Sequence, residues 1–496
     1  MSSEDLPNGF TGFSQRRPGF VSAGDAMRRS RASRDAGVVD KDSRGFRNTE
    51  LQAARSGWQV PNTVKPEEAP GPEKSLWGKS NDFFPADMRK YLTVPKDGDG
   101  TPQFKYEELA EIPETDRRWA WTEVDLGAIH HNTMAVKQLL EPGVRLMAVV
   151  KADAYGHGAV RCAKSAISAG ADYLGVATVD EAVQLRDAGI GTPVLVLAEP
   201  PAATIPLLLA YRIMPSVYTA EFAVQYAEAA DSIGLRAPYH LKVNTGMNRI
   251  GVRFDEVIEF LRRVSFHRAL DLVGTFTHFA TADAPDTMEF NIQASHFVEV
   301  IAEMRAYGID PGIVHAANSA AIIRYPEVHF DMVRLGISLY GYYPCPETYG
   351  LIDLVPAMSV HARITQVKTV PVGEGVSYGL LHRSGGFSKI CTLPIGYADG
   401  YRRGLSDRVD VIMDGMKHPQ VGAICMDQSM FEVDLRTRRS SGRLEPQVGD
   451  EVLVVGEAGN AVVTIDEMAE ILGTVPHEVC IGFGTSRMPR IYTSTR

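Results

Sequence analysis

The sequence predicts an α/β chain: a (β/α)8 barrel followed by a smaller, mainly β domain, behind a long polar N-terminal extension. Three observations carry that prediction. From Trp121 onward, short apolar strand-like runs alternate with helix-like periods. After about residue 355 the texture changes to short alternating runs broken by Gly and Asp, whereas residues 1 to about 115 show neither pattern. At 496 residues two or three domains are expected, and 44% hydrophobic content supplies a sizeable core.

The extension, residues 1–117, is rich in Ser, Arg, Asp, Gly and Pro. Its first 60 residues hold ten Lys/Arg and seven Asp/Glu, with too little apolar surface to offset chain entropy. The expectation is a largely disordered segment, or an arm pinned to the folded body by Trp58, Trp77, Phe83, Phe84, Tyr91, Phe104 and Tyr106.

The barrel is expected over 118–355. Strand-like runs recur at Leu146–Val150, Tyr173–Ala177, Val194–Ala198, Ile213–Val217, His240–Val243, Leu272–Phe276, Gly312–His315 and Phe330–Val333. Helical periods fall between them at Val179–Ala188, Ala220–Asp231, Asp255–Val264, Phe290–Ala306 and Ser319–Tyr325. Eight strands separated by helices over about 210 residues is the arithmetic of a (β/α)8 barrel. The β domain, 356–496, follows from runs at Ala357–Val367, Ile390–Leu393, Val409–Met413, His418–Val421, Met430–Val433, Glu451–Val455 and Ala461–Thr464. A further strand, Ala120–Asp125, fits either body.

Composition narrows the partners. A net charge of −10 argues against nucleic acid and anionic membranes. No run of 18 apolar residues offers a membrane span, and Arg16-Arg17 is followed by no apolar core of an export signal. Five scattered cysteines without a C-x-x-C suit free buried thiols in a reducing compartment, without structural zinc. A cytoplasmic protein is expected.

The chemistry starts at Lys151, delivered by the apolar strand Leu146–Val150 into Ala152-Asp153-Ala154-Tyr155-Gly156-His157-Gly158. A lysine at the mouth of a buried strand is costly unless something there uses it, and a Schiff base with a carbonyl cofactor is the obvious use. Lys242 and Arg249 follow the fifth barrel strand, His278 ends the sixth, His315 the seventh and Arg334 the eighth. Barrel sites lie at the C-terminal ends of strands, so these side chains are expected at one mouth. Asn318-Ser319 after the seventh strand and Leu335-Gly336-Ile337-Ser338 after the eighth read as a phosphate corner, where glycine lets the backbone approach an anion. A Schiff-base lysine with a phosphate corner points to pyridoxal 5'-phosphate.

From about 118 to 496 the chain resembles the alanine racemases, the fold-type III pyridoxal-phosphate family. The matching segments are AVVKADAYGHG, LKVNTGMNRIG, FTHFATAD, HAANSA, VRLGISLYG, GVSYG, IGYADGYRRG and ICMDQ, in order across both domains. The resemblance implies that Lys151 anchors the cofactor and serves as one base, and that Tyr378 is the second, reaching the site from a partner subunit in a homodimer. It implies Arg334 at the pyridine nitrogen, His278 relaying toward Arg334, Arg249 near the phenolic oxygen and near substrate, and Lys242 as the lysine often carbamylated. Tyr155, Asn318, Ser319, Gly336 and Ile337 match cofactor contacts, Met426 a backbone contact to the substrate carboxylate, and Tyr397, Arg403 and Asp283 the entry corridor. The implied activity is interconversion of L- and D-alanine for peptidoglycan.

There are departures. His477 stands where the family commonly has a tyrosine that touches phosphate and shapes the substrate pocket, which opens serine or broader amino-acid racemisation as an alternative. Asn244 and Asn248 replace a commoner Asp and Gly. A decarboxylase of the same barrel class is disfavoured, because such enzymes pair the ring nitrogen with a carboxylate. The extension has no recognised counterpart.

Overall fold

The computed structural model of the protein describes residues 113–440 and 445–494. Expectations for the extension up to residue 112 lie outside the described residues; its last part, Glu114–Arg117, is one helical turn.

The barrel is built from β2 (Arg145–Val149), β3 (Tyr173–Val176), β4 (Val194–Val196), β5 (Met214–Val217), β6 (Ala237–Asn244), β8 (Leu270–Phe276), β9 (Ile313–His315) and β10 (Met332–Leu335). A two-residue strand β7 (Val252–Arg253) hangs on the end of β6. All eight barrel strands pair in parallel, and the ring closes because β5 pairs with β6 and β10 with β2. Each expected strand is present, with ends shifted by a few residues. The largest shift is at β6, which starts at Ala237 rather than His240, and β10 carries Arg334 within the strand rather than after it.

Intervening helices cover the barrel with amphipathic faces. Val257–Val264 buries Val257, Ile258, Phe260, Leu261 and Val264 and leaves Arg262 and Arg263 outside. Val179–Asp187 starts with a capping box in which Thr178 and Glu181 satisfy each other's backbone N–H groups. Glu181 does more: its Oε1 also accepts from the backbone N–H of Ala152, next to Lys151.

The strand that fitted either body, β1 (Ala120–Asp125), lies in the C-terminal sheet. Here β11 (Met358–Arg363) flanks it antiparallel, and β21 (Arg490–Thr493) flanks it in parallel. The chain between them adds β12 (Gln366–Lys368), β13 (Gly375–Val376), β14 (His382–Arg383), β15 (Ser388–Leu393), β16 (Asp410–Met413), β17 (Met416–Pro419), β18 (Ser429–Asp434), β19 (Glu451–Ala458) and β20 (Ala461–Val463). The run expected at His418–Val421 forms its strand two residues earlier, because the turn after Met413 is tight and Met416 pairs directly back onto Met413. All five cysteines are free, and Cys425 is only half-buried rather than buried like the others.

Candidate active site

Val149 ends β2, and the chain turns at once with Lys151 as the first residue of the turn. Ala152, Asp153, Ala154 and Tyr155 all have φ between 50° and 55°, so four successive non-glycine residues are left-handed. That conformation costs about 1–2 kcal/mol per residue, so neighbouring groups must hold it. They do. Asp153 Oδ1 accepts from the N–H of Ala159 at 2.7 Å, and its other oxygen is paired with Arg490 of β21. His157, fully buried, donates from Nδ1 between the carbonyls of Ala154 and Tyr155. Gly156 packs on the backbone of Gly484: a Cβ at Gly484 would lie 2.2 Å from Gly156 Cα, and one at Gly156 would lie 2.8 Å from the Cys480 carbonyl oxygen, so both positions need glycine. The last strand of the C-terminal sheet thus fixes the turn that carries Lys151.

Lys151 opens onto a cavity of about 600 Å³ at the C-terminal end of the barrel. Its walls include Lys151, Tyr155, Lys242, Arg249, His278, Asp283, Asn318, Ser319, Arg334, Gly336, Ile337 and His477. Asp283 is the one carboxylate among the described lining residues, against four basic side chains. Burial, then Arg249, lowers the pKa of Lys151, with Glu181 opposing and Arg334 assisting. Burial, then Arg334 and Arg249, holds Lys242 well below the usual lysine range. Lys242 lies within β6, not beyond it, and its Nζ sits 5.0 Å over the ring of Phe276.

Arg334 is fixed by a ring of acceptors. Its Nη2 reaches the carbonyls of Thr277 and Ala316 at 2.8 Å and His278 Nδ1 at 3.1 Å, while Nη1 reaches His315 Nδ1 at 3.1 Å. Burial, then Arg334, pushes His278 well below its ordinary pKa, so its ring is neutral and accepts from the guanidinium. His315 is a correction to the expected mouth: it is fully buried beneath Arg334 and does not line the cavity. The strand end was read correctly, but the pleat turns its ring into the barrel interior.

At the opposite corner, Asn318 caps the helix Ser319–Arg324 by accepting from Ala321 N–H, and Ser319 Oγ accepts from the N–H of Gly336 at 2.9 Å. A Cβ at Gly336 would sit 3.4 Å from Tyr155 Oη and 3.5 Å from Ser319 Oγ, so glycine leaves a hydroxyl-lined corner open. His477 packs edge-on against Tyr155, and its buried Nδ1 has no hydrogen-bond partner among the described residues. Burial, then Lys151, lowers its pKa to about 4.

Tyr378, Tyr397, Arg403 and Met426 are not brought to this cavity. They lie on the C-terminal domain, with Tyr378 69% exposed and Met426 51% exposed. Tyr397 and Met426 share one surface: the N–H groups of Tyr397 and Ala398 bond the carbonyls of Cys425 and Met426, and Ser377, beside Tyr378, bonds Ala423 O. Sequence reasoning missed the groups that hold these loops. Asp399, fully buried, accepts from Gly396 N–H and pairs with Arg118 at 2.6 Å and Arg487 at 3.1 Å. Its place in the IGYADG segment was the available signal.

A barrel with a lysine of lowered pKa and clustered cations in the cavity at its mouth, joined to a β domain, has the arrangement of an enzyme site rather than of a binding module. Residues 124–344 match the alanine racemase N-terminal domain, and residues 357–492 match its C-terminal domain. An alanine racemase from Desulfovibrio desulfuricans is 44% identical over 375 residues, 76% of this chain and 98% of that protein. One from a Nostoc species is 41% identical, over 75% of this chain and 95% of its own length. The crystal structure of the Bacillus anthracis alanine racemase with bound L-Ala-P superposes with a TM-score of 0.71 at 36% identity, covering 76% of this chain and 96% of that one. A histidine racemase from Leuconostoc mesenteroides has a TM-score of 0.69 at 30% identity, covering 76% of this chain and 98% of that one. The chain belongs to the alanine racemase family and is an amino-acid racemase. Among the described residues, no helix is long and apolar enough to cross a membrane.

Proposed function

We propose that the protein interconverts L- and D-alanine with pyridoxal 5'-phosphate, as a homodimer with shared sites, and that it supplies D-alanine for peptidoglycan from the cytoplasm. The observation that carries this reading is the cavity: four basic side chains face one carboxylate, beside a glycine corner lined by two hydroxyls. Such a set fits a phosphorylated, anionic aldehyde. Lys151 would anchor it, with Tyr155, Asn318, Ser319, Gly336, Ile337 and His477 around its phosphate. Arg334, backed by His278, would face its ring nitrogen, and Arg249 would sit near its phenolic oxygen and the substrate. The unpartnered Nδ1 of His477 supports the phosphate end of this arrangement.

When bound, pyridoxal phosphate makes the substrate's α-hydrogen acidic by delocalising the charge left behind. The chain's own residues then move the proton. Racemisation requires loss on one face and return on the other, hence two bases. Lys151 serves one face; its lowered pKa keeps more of its amine neutral and able to accept a proton. Tyr378 of a second copy serves the other face, with Met426 and Tyr397 beside it toward the substrate. Burial, then the charges of Arg334 and Arg249, depress the pKa of Lys242. Its neutral amine adds to carbon dioxide and loses a proton, giving a carbamate that balances those charges.

A second reading, racemisation of serine or a broader set, is favoured by His477, a smaller ring than the family's usual tyrosine at the cavity wall. The deciding experiment is racemisation of L-alanine and L-serine by the purified protein with pyridoxal phosphate, followed by chiral analysis. Strong preference for alanine is expected. Equal or faster turnover of serine would move the assignment to a serine or broader amino-acid racemase, and turnover of neither would overturn both.

A further inference from the structure

Beneath Arg334 a line of polar side chains continues into the barrel interior, and the reaction above makes no use of its far end. His315 Nε2 lies 2.9 Å from Nδ1 of His240, on β6, and both rings are fully buried. The protons on this line are fixed by elimination. A guanidinium only donates, so His315 Nδ1 accepts from Arg334 and the His315 proton sits on Nε2. That N–H donates to His240 Nδ1, which leaves the His240 proton on Nε2. There it is buried with no hydrogen-bond partner among the described residues. Burial depresses the pKa of both rings, so neither gains a second proton near neutrality.

A stranded N–H is costly, and barrel interiors are ordinarily filled by Val, Ile and Leu. His240 makes instead T-shaped contacts with the rings of Tyr173 and Phe276. The backbone has adapted to hold it. The register of β6 against β8 slips between Tyr239 and His240. Opposite stands Gly274, where a Cβ would fall 2.4 Å from both Nδ1 and Cε1 of the ring. A register break, a glycine and an unpaired donor at one interior position call for a use.

We infer that His240 is a positioning residue: its Nδ1 holds His315 in the tautomer that presents a lone pair to Arg334, and so keeps the guanidinium edge aimed at the cavity. The effect on turnover rests on the racemase reading; the tautomers do not. With leucine at 240, His315 loses its acceptor. Moving its proton to Nδ1 would relieve that, but it would set two donors face to face at Arg334. Asparagine restores an acceptor, because its Oδ1 falls near the place of Nδ1.

The test is nitrogen-15 NMR of histidine-labelled full-length protein, read beside alanine kinetics, for wild type, His240→Leu and His240→Asn. Wild type and His240→Asn are expected to show His315 protonated on Nε2, and His240→Leu a changed tautomer. The kcat of His240→Leu should fall about 10- to 100-fold with KM little changed, and His240→Asn should recover most of it. If His240→Leu fails to fold, Gly274→Ala displaces the ring and should change the same tautomer. An unchanged His315 signal in the leucine variant, or asparagine no better than leucine, overturns the inference. If the wild type racemises no alanine, the proposed activity falls while the tautomer comparison still decides the role of His240.

Discussion

The barrel mouth and the tyrosine-bearing surface of the C-terminal domain carry the two proposed bases under opposite conditions. Lys151 stands on a clamped left-handed turn, in a cavity whose burial and cations shift its pKa downward. Tyr378 is 69% exposed, on a loop where Ser377, Gly379 and Leu380 all have positive φ. Leu380 and Leu381 beside it are also exposed. One region is finished within a single chain, and the other spends backbone strain to hold apolar and phenolic groups out in solvent. That contrast is understandable if the second region is completed by another copy, whose cavity receives the tyrosine.

The sharpest break of this comparison is at the buried base. Lys151→Ala is expected to reduce racemisation about a thousandfold or more and to remove the absorbance of the covalently held cofactor. Survival of that absorbance would place the anchor elsewhere. Next comes the exposed base. Tyr378→Phe should lower turnover about 100-fold or more with cofactor binding retained, and the primary isotope effect on the α-hydrogen should become unequal for the two alanine enantiomers. Equal effects at unchanged rates would remove Tyr378 from the mechanism.

A milder perturbation asks whether the exposed surface is an interface. Leu381→Asp should weaken self-association, so that activity per chain falls about tenfold on dilution while wild type holds steady. Sedimentation run alongside would show the loss of dimer; activity independent of concentration would contradict a shared site.

The smallest effect concerns stability. Burial lowers His477 and His157 to about 4 and His240 to about 3, and drives His278 and His315 down as well. A histidine with a depressed folded pKa binds its proton first in the unfolded chain. Stability is therefore full above the ordinary value of about 6.5 and is lost progressively as pH falls below it toward the lowered folded values. Urea unfolding of cofactor-free protein at pH 7 and pH 5 measures it, and equal stability at the two would refute the neutral, buried assignment.

The same contrast explains what the sequence could disclose. Barrel strands were legible because each is a continuous apolar run between turns, a local signal. Lys151, Arg249, His278, Ser319, Arg334 and Gly336 were legible because strand ends share one mouth in this fold. The partner of β1 was not, because Ala120–Asp125 alternates in a way either sheet accepts, and only pairing with Met358–Arg363 and Arg490–Thr493 decides it. Nor was the Asp153–Arg490 clamp, which joins residues far apart in the chain. The inward turn of His315 and the slip at His240 depend on pleat and register, which side-chain type does not encode.

The central claim is that one site takes Lys151 from one chain and Tyr378 from another. It is tested most directly by co-expressing Lys151→Ala and Tyr378→Phe chains and isolating mixed dimers by two different tags. Each mixed dimer would contain one site with both bases and one with neither, so it should regain about half of wild-type activity in both directions, whereas each parent remains impaired. Mixed dimers no more active than the average of the parents would mean that both bases come from the same chain, and the account of a shared site would be wrong.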